Sequence, residues 1–301
     1  MIGQLSRATA VIVQGATGRA GSVHVRRMKE YGTNIVAGVS ARAGAESVEG
    51  VPVFPDCRAA MAATGARVSL AMVPPNGVLA AAQDAIAAGI KLIVTVAEGV
   101  PVHDALRVGR IVRDAGATWV GASTPGLAIP SEMKLGFLPD VSLRPGPLAM
   151  MSKSGTLSYE VGYRLGTVGL GTSIWVGVGG DPVKGVRFSD LLDPFLADRR
   201  TEGIVLIGEV GGSEEEDFAD ALARAPARKP VYALVAGRGA KEGVPMGHAG
   251  ALVFGETGSF ESKKKRLEAA GAQVFSSIED LIAACRREHG YLVVREQRLG
   301  R

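Results

Sequence analysis

The sequence predicts two α/β domains in tandem, and three observations carry that expectation. Short β-branched runs alternate with Ala-rich runs of helical period along the first half of the chain. The alternation breaks at Pro139–Pro147, where PDVSLRPGP holds three prolines. It then restarts and continues to the end of the 301 residues. The strands read as unbroken apolar runs, which is the pattern of a parallel sheet covered on both faces. The expected division is therefore a first domain over 1–138, a linker over 139–147 and a second domain over 148–301.

In the first half, Thr9–Gln14, Asn34–Val39, Val68–Val73, Lys91–Val96 and Thr118–Gly121 read as strands. Arg19–Tyr31, Gly77–Ala88 and Asp104–Gly116 have helical period. In the second half, strands are expected at Leu148–Ser152, Ser173–Val178, Gly203–Gly208, Pro230–Val235 and Gln273–Phe275. Helices are expected at Thr156–Leu165, Phe188–Ala197, Ser213–Ala223, Glu261–Ala270 and Ile278–Arg287.

Composition narrows the function classes. No apolar run is long enough to cross a bilayer, and the N-terminus leads straight into a strand, so a cytoplasmic protein is expected. Two cysteines, Cys57 and Cys285, cannot build a disulfide framework, and no CxxC suggests a metal. Cys285 falls on the apolar face of the last helix and reads as packing. The net charge of +4 is mild; the one basic run, Lys263–Arg266, reads as the solvated face of a helix. Without an aromatic or Arg-rich stripe beside it, no nucleic-acid partner is expected. A polyanionic small ligand suits such a surface.

The first glycine-rich loop, Gly15 to Gly21 (GATGRAG), joins the first strand to the first helix. Glycines there permit a tight turn and let a phosphate approach the helix N-terminus, although a ligand-free turn has the same look. The G-x-x-G-x-x-G spacing differs from the usual dinucleotide pattern. The second strand runs out as Val39-Ser40-Ala41-Arg42, without the acid that holds a ribose 2′-hydroxyl. Arg42 suggests an extra phosphate, of NADP or of coenzyme A, and this stretch leaves both open.

Three small-residue loops stand out in the second half. Ser152–Thr156 (SKSGT) joins a strand to a helix and suits an anion. Ile207–Gly212 (IGEVGG) places Glu209 at the carboxyl end of a strand. The third, Pro245–Ala251 (PMGHAGA), surrounds His248 with little more than glycine and alanine. Loops at strand carboxyl ends converge on one site in open α/β sheets. A carboxylate on one ring nitrogen fixes a histidine tautomer, and the other nitrogen is then a nucleophile that can carry a phosphoryl group. A surface or hydrogen-bonded histidine is the competing reading.

Five motifs occur in one order and at one set of spacings: QGATGRAG at 14–21, SKSGTLSYE at 152–160, GVGGDP at 177–182, IGEVGG at 207–212 and GHAGA at 247–251. In these the chain resembles the α subunits of succinyl-CoA synthetase and the wider nucleoside-diphosphate-forming acid–CoA ligase family. The resemblance covers nearly the whole sequence. It implies a Rossmann-like coenzyme-A-binding domain followed by a flavodoxin-like ligase domain. It implies that His248 is phosphorylated, that Glu209 orients it, and that Ser154, Gly155 and Thr156 open a helix that binds the phosphate. Thr17, Gly18, Arg19 and Ala20 match the family's coenzyme A loop; Val96, Ala97 and Glu98 match a second contact, and Arg42 would serve as a third. Ser123, Thr124 and Tyr159 fall to the carboxylic acid. ATP or GTP with Mg2+ is expected on a partner β subunit with an ATP-grasp domain, because nothing in this chain resembles one.

The sequence departs from the family at four places, one of them Phe254–Gly258, which brings an acid and an aromatic into a loop that is usually smaller. The family's lysine after the second strand is absent from Ala41–Ala45. A Pro-Asn pair is missing from Gly121–Gly126, and a basic pair from Ala240–Pro245. The phosphohistidine core is kept while the acid-facing and coenzyme-facing edges differ, which suits succinate or another acid such as malate or citrate. An NADP-dependent oxidoreductase would leave IGEVGG and GHAGA without a role, and a non-catalytic coenzyme-A-binding homologue would show no phosphate on His248. Of the other histidines, His24 is expected in the core or behind the coenzyme, and His103 and His289 at exposed helix ends. Asp181 is expected to shape a turn or the phosphate loop.

Overall fold

The computed structural model describes residues 2–40, 46–240 and 258–298. The chain forms two compact units, one of Met1–Leu138 with Gly177–Val186 and the other of Pro139–Val176 with Arg187–Arg301.

The first unit contains β1 (Val11–Gln14), α1 (Arg19–Tyr31), β2 (Ile35–Val39), β3 (Ser47–Val48), β4 (Val51–Phe54), α2 (Cys57–Thr64) and β5 (Val68–Ala71). It continues through α3 (Val78–Ala88), β6 (Leu92–Thr95), α4 (Val102–Asp114), β7 (Thr118–Gly121), β8 (Gly126–Ile129) and β9 (Met133–Gly136). Its main sheet runs β3-β4-β2-β1-β5-β6-β7. The strands from β4 to β7 are parallel, and β3 adds an antiparallel edge through a tight turn at Glu49-Gly50. The apolar strands bury both faces: Ile12, Ala37 and Ile93 pack with Ala82 and Ala85 of α3 and Val108 and Val112 of α4. Strand order reverses between β1 and β5, so a crevice opens there at the carboxyl edge. Two helices stop at glycine: α1 at Gly32 and α3 at Gly89, both in left-handed conformations that glycine takes without strain. The hairpin of β8 and β9 is antiparallel. It joins α1 through Thr33, whose hydroxyl donates to the Lys134 carbonyl at 2.8 Å and accepts the Lys134 N–H at 3.0 Å.

The second unit contains β10 (Pro145–Ser152), α5 (Gly155–Thr167), β11 (Thr172–Gly177), α6 (Phe188–Ala197), β12 (Gly203–Glu209) and α7 (Glu214–Arg224). It ends with β13 (Val231–Ala236), α8 (Phe260–Ala269), β14 (Gln273–Phe275) and α9 (Ile278–Arg298). Its strands run β14-β13-β12-β10-β11, and β14, β13, β12 and β10 are mutually parallel. Counted within the unit, the order is second, first, third, fourth, fifth, the flavodoxin-like arrangement. Its switch point falls between β10 and β12. Trp175, Phe188, Phe195, Phe218 and Tyr232 fill the core without exposure.

The structure adds α2 and the β3–β4 and β8–β9 hairpins to the sequence reading, and it differs from that reading elsewhere as well. The proline-rich 139–147 stretch holds a 3-10 turn at Asp140–Ser142 and the first residues of β10. The last helix runs on to Arg298. Lys263 is not on a solvated face: it is 0 % exposed, and its ammonium is paired with Glu215. His289 is not exposed either. It is buried, with Nε2 3.0 Å from the Tyr232 hydroxyl, and its Nδ1 has no partner among the described residues. Both residues belong to short polar runs whose local period does not show which side chain turns inward. His103 and Cys285 lie where the sequence reading put them, exposed and buried respectively.

Two stability predictions follow from these buried groups. Lys263→Ala leaves a buried carboxylate without one of its two cations and should cost about 3–5 kcal/mol. Its exposed neighbour tested as Lys265→Ala should leave the urea midpoint unchanged. On acidification, burial lowers the pKa of His289 against the pull of Glu202 and Glu288. The unfolded chain therefore takes up that proton first, and the contribution of neutral His289 is present above pH 6.5 and lost below it. Burial would raise the Glu215 pKa, but Lys153 and Lys263 outweigh it and hold the group below the ordinary 4.5. Its contribution is complete above 4.5 and disappears at more acid pH. Urea midpoints measured against pH should fall in these two separate windows, and only the upper one should vanish in His289→Gln.

Candidate functional site

In the first unit, the loop after β1 is shaped by close backbone approaches. Gly15 has φ +74°, and a Cβ on it would lie 2.5 Å from the Met72 carbonyl oxygen at the end of β5. A Cβ on Gly21 would collide with the Gly15 carbonyl. The loop thus folds tightly across the crevice between β1 and β5. Gly18 precedes α1 and its N–H donates to the Gly15 carbonyl at 3.0 Å. No side chain caps α1, so its first amides and the positive end of its dipole face the carboxyl edge of the sheet. Thr17 donates its hydroxyl to Ser40 at 2.8 Å, tying the loop to the end of β2. Thr17 and Gly18 are half-buried, whereas Arg19 and Ala20 are exposed.

The second set of predicted coenzyme contacts follows β6 on the same edge. Val96 is buried, Ala97 is half-buried and accepts the Ser123 N–H at 2.8 Å, and Glu98 is exposed. Two strand spacings separate β1 from β6, about 10 Å. Residues 17–20 and 96–98 thus flank one crevice on a single sheet edge. Arg42 lies outside the described residues. His24 is half-buried with its ring edge-on to Phe137 at 4.5 Å; burial, then Arg27 and Lys134, hold its pKa below the usual value. Ser123 is half-buried, and the buried Thr124 donates its hydroxyl to the Gly177 carbonyl at 2.5 Å.

In the second unit, two predicted loops occupy the switch point. Ser154 caps α5, its hydroxyl accepting the Leu157 N–H at 3.3 Å. The Ser152 hydroxyl holds this turn from below, donating to the Ser154 carbonyl at 2.7 Å and accepting its N–H at 3.0 Å. Gly155 and Thr156 are the first two residues of the helix, and Thr156 is exposed. Lys153 joins this loop to the next strand through its N–H, which donates to the Ile207 carbonyl at 3.0 Å. Glu209 ends β12, half-buried. Tyr159, on the next turn of α5, is half-buried with its ring 6.3 Å from that of Trp175, and burial raises its pKa.

His248 lies outside the described residues, within 241–257. Both flanks of that segment are described. Ala240 donates to the Gly237 carbonyl at 2.8 Å just beyond β13, and the Gly258 carbonyl accepts the Gly211 N–H at 2.8 Å, two residues from Glu209. The two flanks therefore lie near the carboxyl ends of β13 and β12.

Three residues that sequence reasoning missed sit beneath these loops. Glu215, in the first turn of α7, is wholly buried and meets the ammonium groups of Lys153 and Lys263. Lys153 stood inside a quoted motif and Glu215 in the acidic run that opens α7, but no local pattern pairs residues so far apart.

Among the described residues no group of His, Cys, Asp and Glu could hold a metal, and no helix is long and apolar enough to cross a membrane. Residues 6–99 match the CoA binding domain family and residues 151–273 the CoA-ligase family. A succinate–CoA ligase [ADP-forming] subunit alpha 2 of Archaeoglobus fulgidus is 44 % identical over 266 residues, 88 % of this chain and 92 % of that protein. The ADP-forming sulfoacetate-CoA ligase subunit SauD of Bilophila wadsworthia is 39 % identical over 267 residues, 88 % of this chain and 91 % of its own length. In fold the chain is similar to the structure of ATP citrate lyase from Methanothrix soehngenii in complex with citrate and coenzyme A, with TM-score 0.84 and 24 % identity. That likeness covers 97 % of this chain and about half, 51 %, of the lyase chain. With both family matches in sequence order and near-full-length relatives above 40 % identity, the chain belongs to the family of α subunits of two-subunit, ADP-forming acid–CoA ligases.

Proposed function

We propose that the chain acts with a β subunit to convert a small carboxylic acid, succinate or a related carboxylate, into its coenzyme A thioester through phosphorylated His248. The observation that carries this reading is the switch point of the second unit. The start of α5, Glu209 and both flanks of the His248 segment meet the same sheet edge there.

The chemistry proceeds in three displacements. The free ring nitrogen of His248 attacks the γ-phosphorus of ATP, and the bond to the ADP oxygen breaks. ATP with Mg2+ is held by the partner's ATP-grasp domain. Glu209 accepts the other ring N–H, fixing the tautomer and supporting the positive charge that develops. Amides of Gly155 and Thr156 at the N-terminus of α5 receive the phosphoryl oxygens. An oxygen of the acid then attacks phosphorus, the P–N bond breaks, and neutral histidine returns. Finally the coenzyme A thiolate attacks the acyl carbon and inorganic phosphate leaves; the thiol proton passes to solvent. In the first unit the residues fit a phosphate-bearing coenzyme. The uncapped start of α1 and the glycine-lined crevice admit a pyrophosphate where any Cβ at 15 or 21 would block the turn. Thr17–Ala20 and Val96–Glu98 would hold it, with Arg42 near its 3′-phosphate.

The names of the similar proteins point to succinate and to adenine nucleotide, while the SauD relative admits a sulfonated acid. The test is coenzyme-A-dependent ADP release by the co-expressed pair over succinate, malate, citrate and sulfoacetate. Succinate should turn over; a panel with no active acid overturns the proposal. His248→Ala should lower turnover by more than about 10³-fold while coenzyme A binding, read by calorimetry, stays unchanged. Gly21→Val should do the reverse: coenzyme A binds at least about tenfold more weakly, a loss of about 1.4 kcal/mol. ATP–ADP exchange, which needs no coenzyme A, should persist in that variant.

A further inference from the structure

The proposed reaction assigns no role to the buried cluster beneath the switch point. Glu215 is 0 % exposed and its carboxylate joins three segments. Oε1 accepts the backbone N–H of Glu209 at 3.0 Å. Lys153, the residue before the Ser154 cap, brings its Nζ to 2.9 Å from Oε1 and 3.1 Å from Oε2. Lys263 of α8 bonds Oε2 and also donates to the Gly211 carbonyl at 3.0 Å. Glu214 and Glu216 stand 3.5 and 3.4 Å from the two ammonium groups.

A cluster of this kind is weak evidence for stability, because well-packed apolar residues in its place cost no desolvation. Its connections are specific to the loops of the proposed site. The backbone of Glu209, the residue before Ser154, and the carbonyl of Gly211 all end on one carboxylate or on a lysine attached to it. Gly211 in turn holds Gly258, where the His248 segment ends. The strand makes room for this connection: a Cβ on Gly208 would lie 2.5 Å from Glu215 Oε1. Glycine directly before Glu209 is therefore what lets the carboxylate reach that N–H.

We propose that Glu215 is a positioning residue for phosphoryl transfer, holding Glu209 and the start of α5 in register through its bonds to the Glu209 amide, Lys153 and Lys263. The proposal rests on the phosphohistidine reading above. Glu215 touches no reacting atom. Its effect is on the rate at which bound ATP phosphorylates His248, and a misplacement of about 1 Å is enough to cost on the order of 10² in such a step.

The experiment is rapid-quench phosphorylation of His248 by ATP in the αβ enzyme, with amplitude and rate read separately. Glu215→Gln removes the charge, and Gly208→Ala displaces the carboxylate while keeping every charge. Both should lower the rate constant about 100-fold. The phosphate incorporated per chain, the KM for ATP and the affinity for coenzyme A should stay at parent values. Lys264→Met, on the outer side of α8, should match the parent throughout. A merely structural role predicts the opposite pattern, reduced amplitude at unchanged rate, and that result in either variant overturns the proposal. Should Glu215→Gln fail to fold, Gly208→Ala decides alone. A parent enzyme that turns over without alkali-stable phosphate on His248 refutes the phosphohistidine reading itself, an outcome distinct from unchanged rates in the variants.

Discussion

Parallel pairing imposes one constraint from which the rest of this structure follows: every loop after a strand emerges on the same edge of its sheet. Both units use that edge at the place where strand order reverses. In the first, the connections after the paired strands β1 and β5 part to opposite sides, and the glycine loop packs against Met72 at the end of β5. In the second, β10 and β12 are paired, and the Ser154 and Glu209 loops leave their adjacent carboxyl ends. Neither crevice needs a dedicated cavity, because the topology leaves it open and the flanking helices point their N-termini toward it.

Much of this was legible in the sequence because the relevant signals are local. Strand-type runs, helical period and glycine at helix ends place α1, β7, α6 and β14 at their observed limits. Alternation gives parallel sheets but not their strand order, which differs between the two units; the flavodoxin-like order of the second is an expectation of the family resemblance. The β3–β4 hairpin and the β8–β9 hairpin escaped the reading. One is a two-residue strand with Pro52 in its mate, and the other is short and glycine-bounded at Gly126 and Gly136. Neither has length enough for a period to show.

Burial of charge was the least legible property. Lys263 lies in a run of four basic residues, and nothing in that run marks the first as different from the third. What separates them is α7, which brings Glu215 under α8 from 48 residues away. His289 is a similar case, buried by the Tyr232 hydroxyl of β13 rather than by its own helix. Charged and polar side chains reveal their environment through partners distant in sequence, whereas an apolar stripe reveals its own. The proposed site follows this division: its motifs could be read, and the cluster beneath them could not.

The two helix N-termini differ in a way that bears on the ligands proposed for them. α1 opens on glycine with no side-chain cap, while α5 opens on Ser154, whose hydroxyl takes the Leu157 amide. A cap of this kind satisfies only one of the orphan donors of a first turn. The amides of Gly155 and Thr156 therefore stay available while Ser154 keeps the turn rigid. A helix end holds an anion modestly, by about 0.3–1 kcal/mol at the surface and up to about 2 when partly buried. In the proposed reaction the coenzyme stays bound through several steps, so that hold has to be supplemented by side chains, and Thr17 and Arg19 stand at the start of α1 on that edge. In the proposed reaction a phosphoryl group arrives and leaves at α5 within each turnover, and a modest hold in a fixed place is what that reaction requires. Rigidity rather than strength is then the property to conserve at α5, and Ser152, Ser154 and Lys153 all act on rigidity.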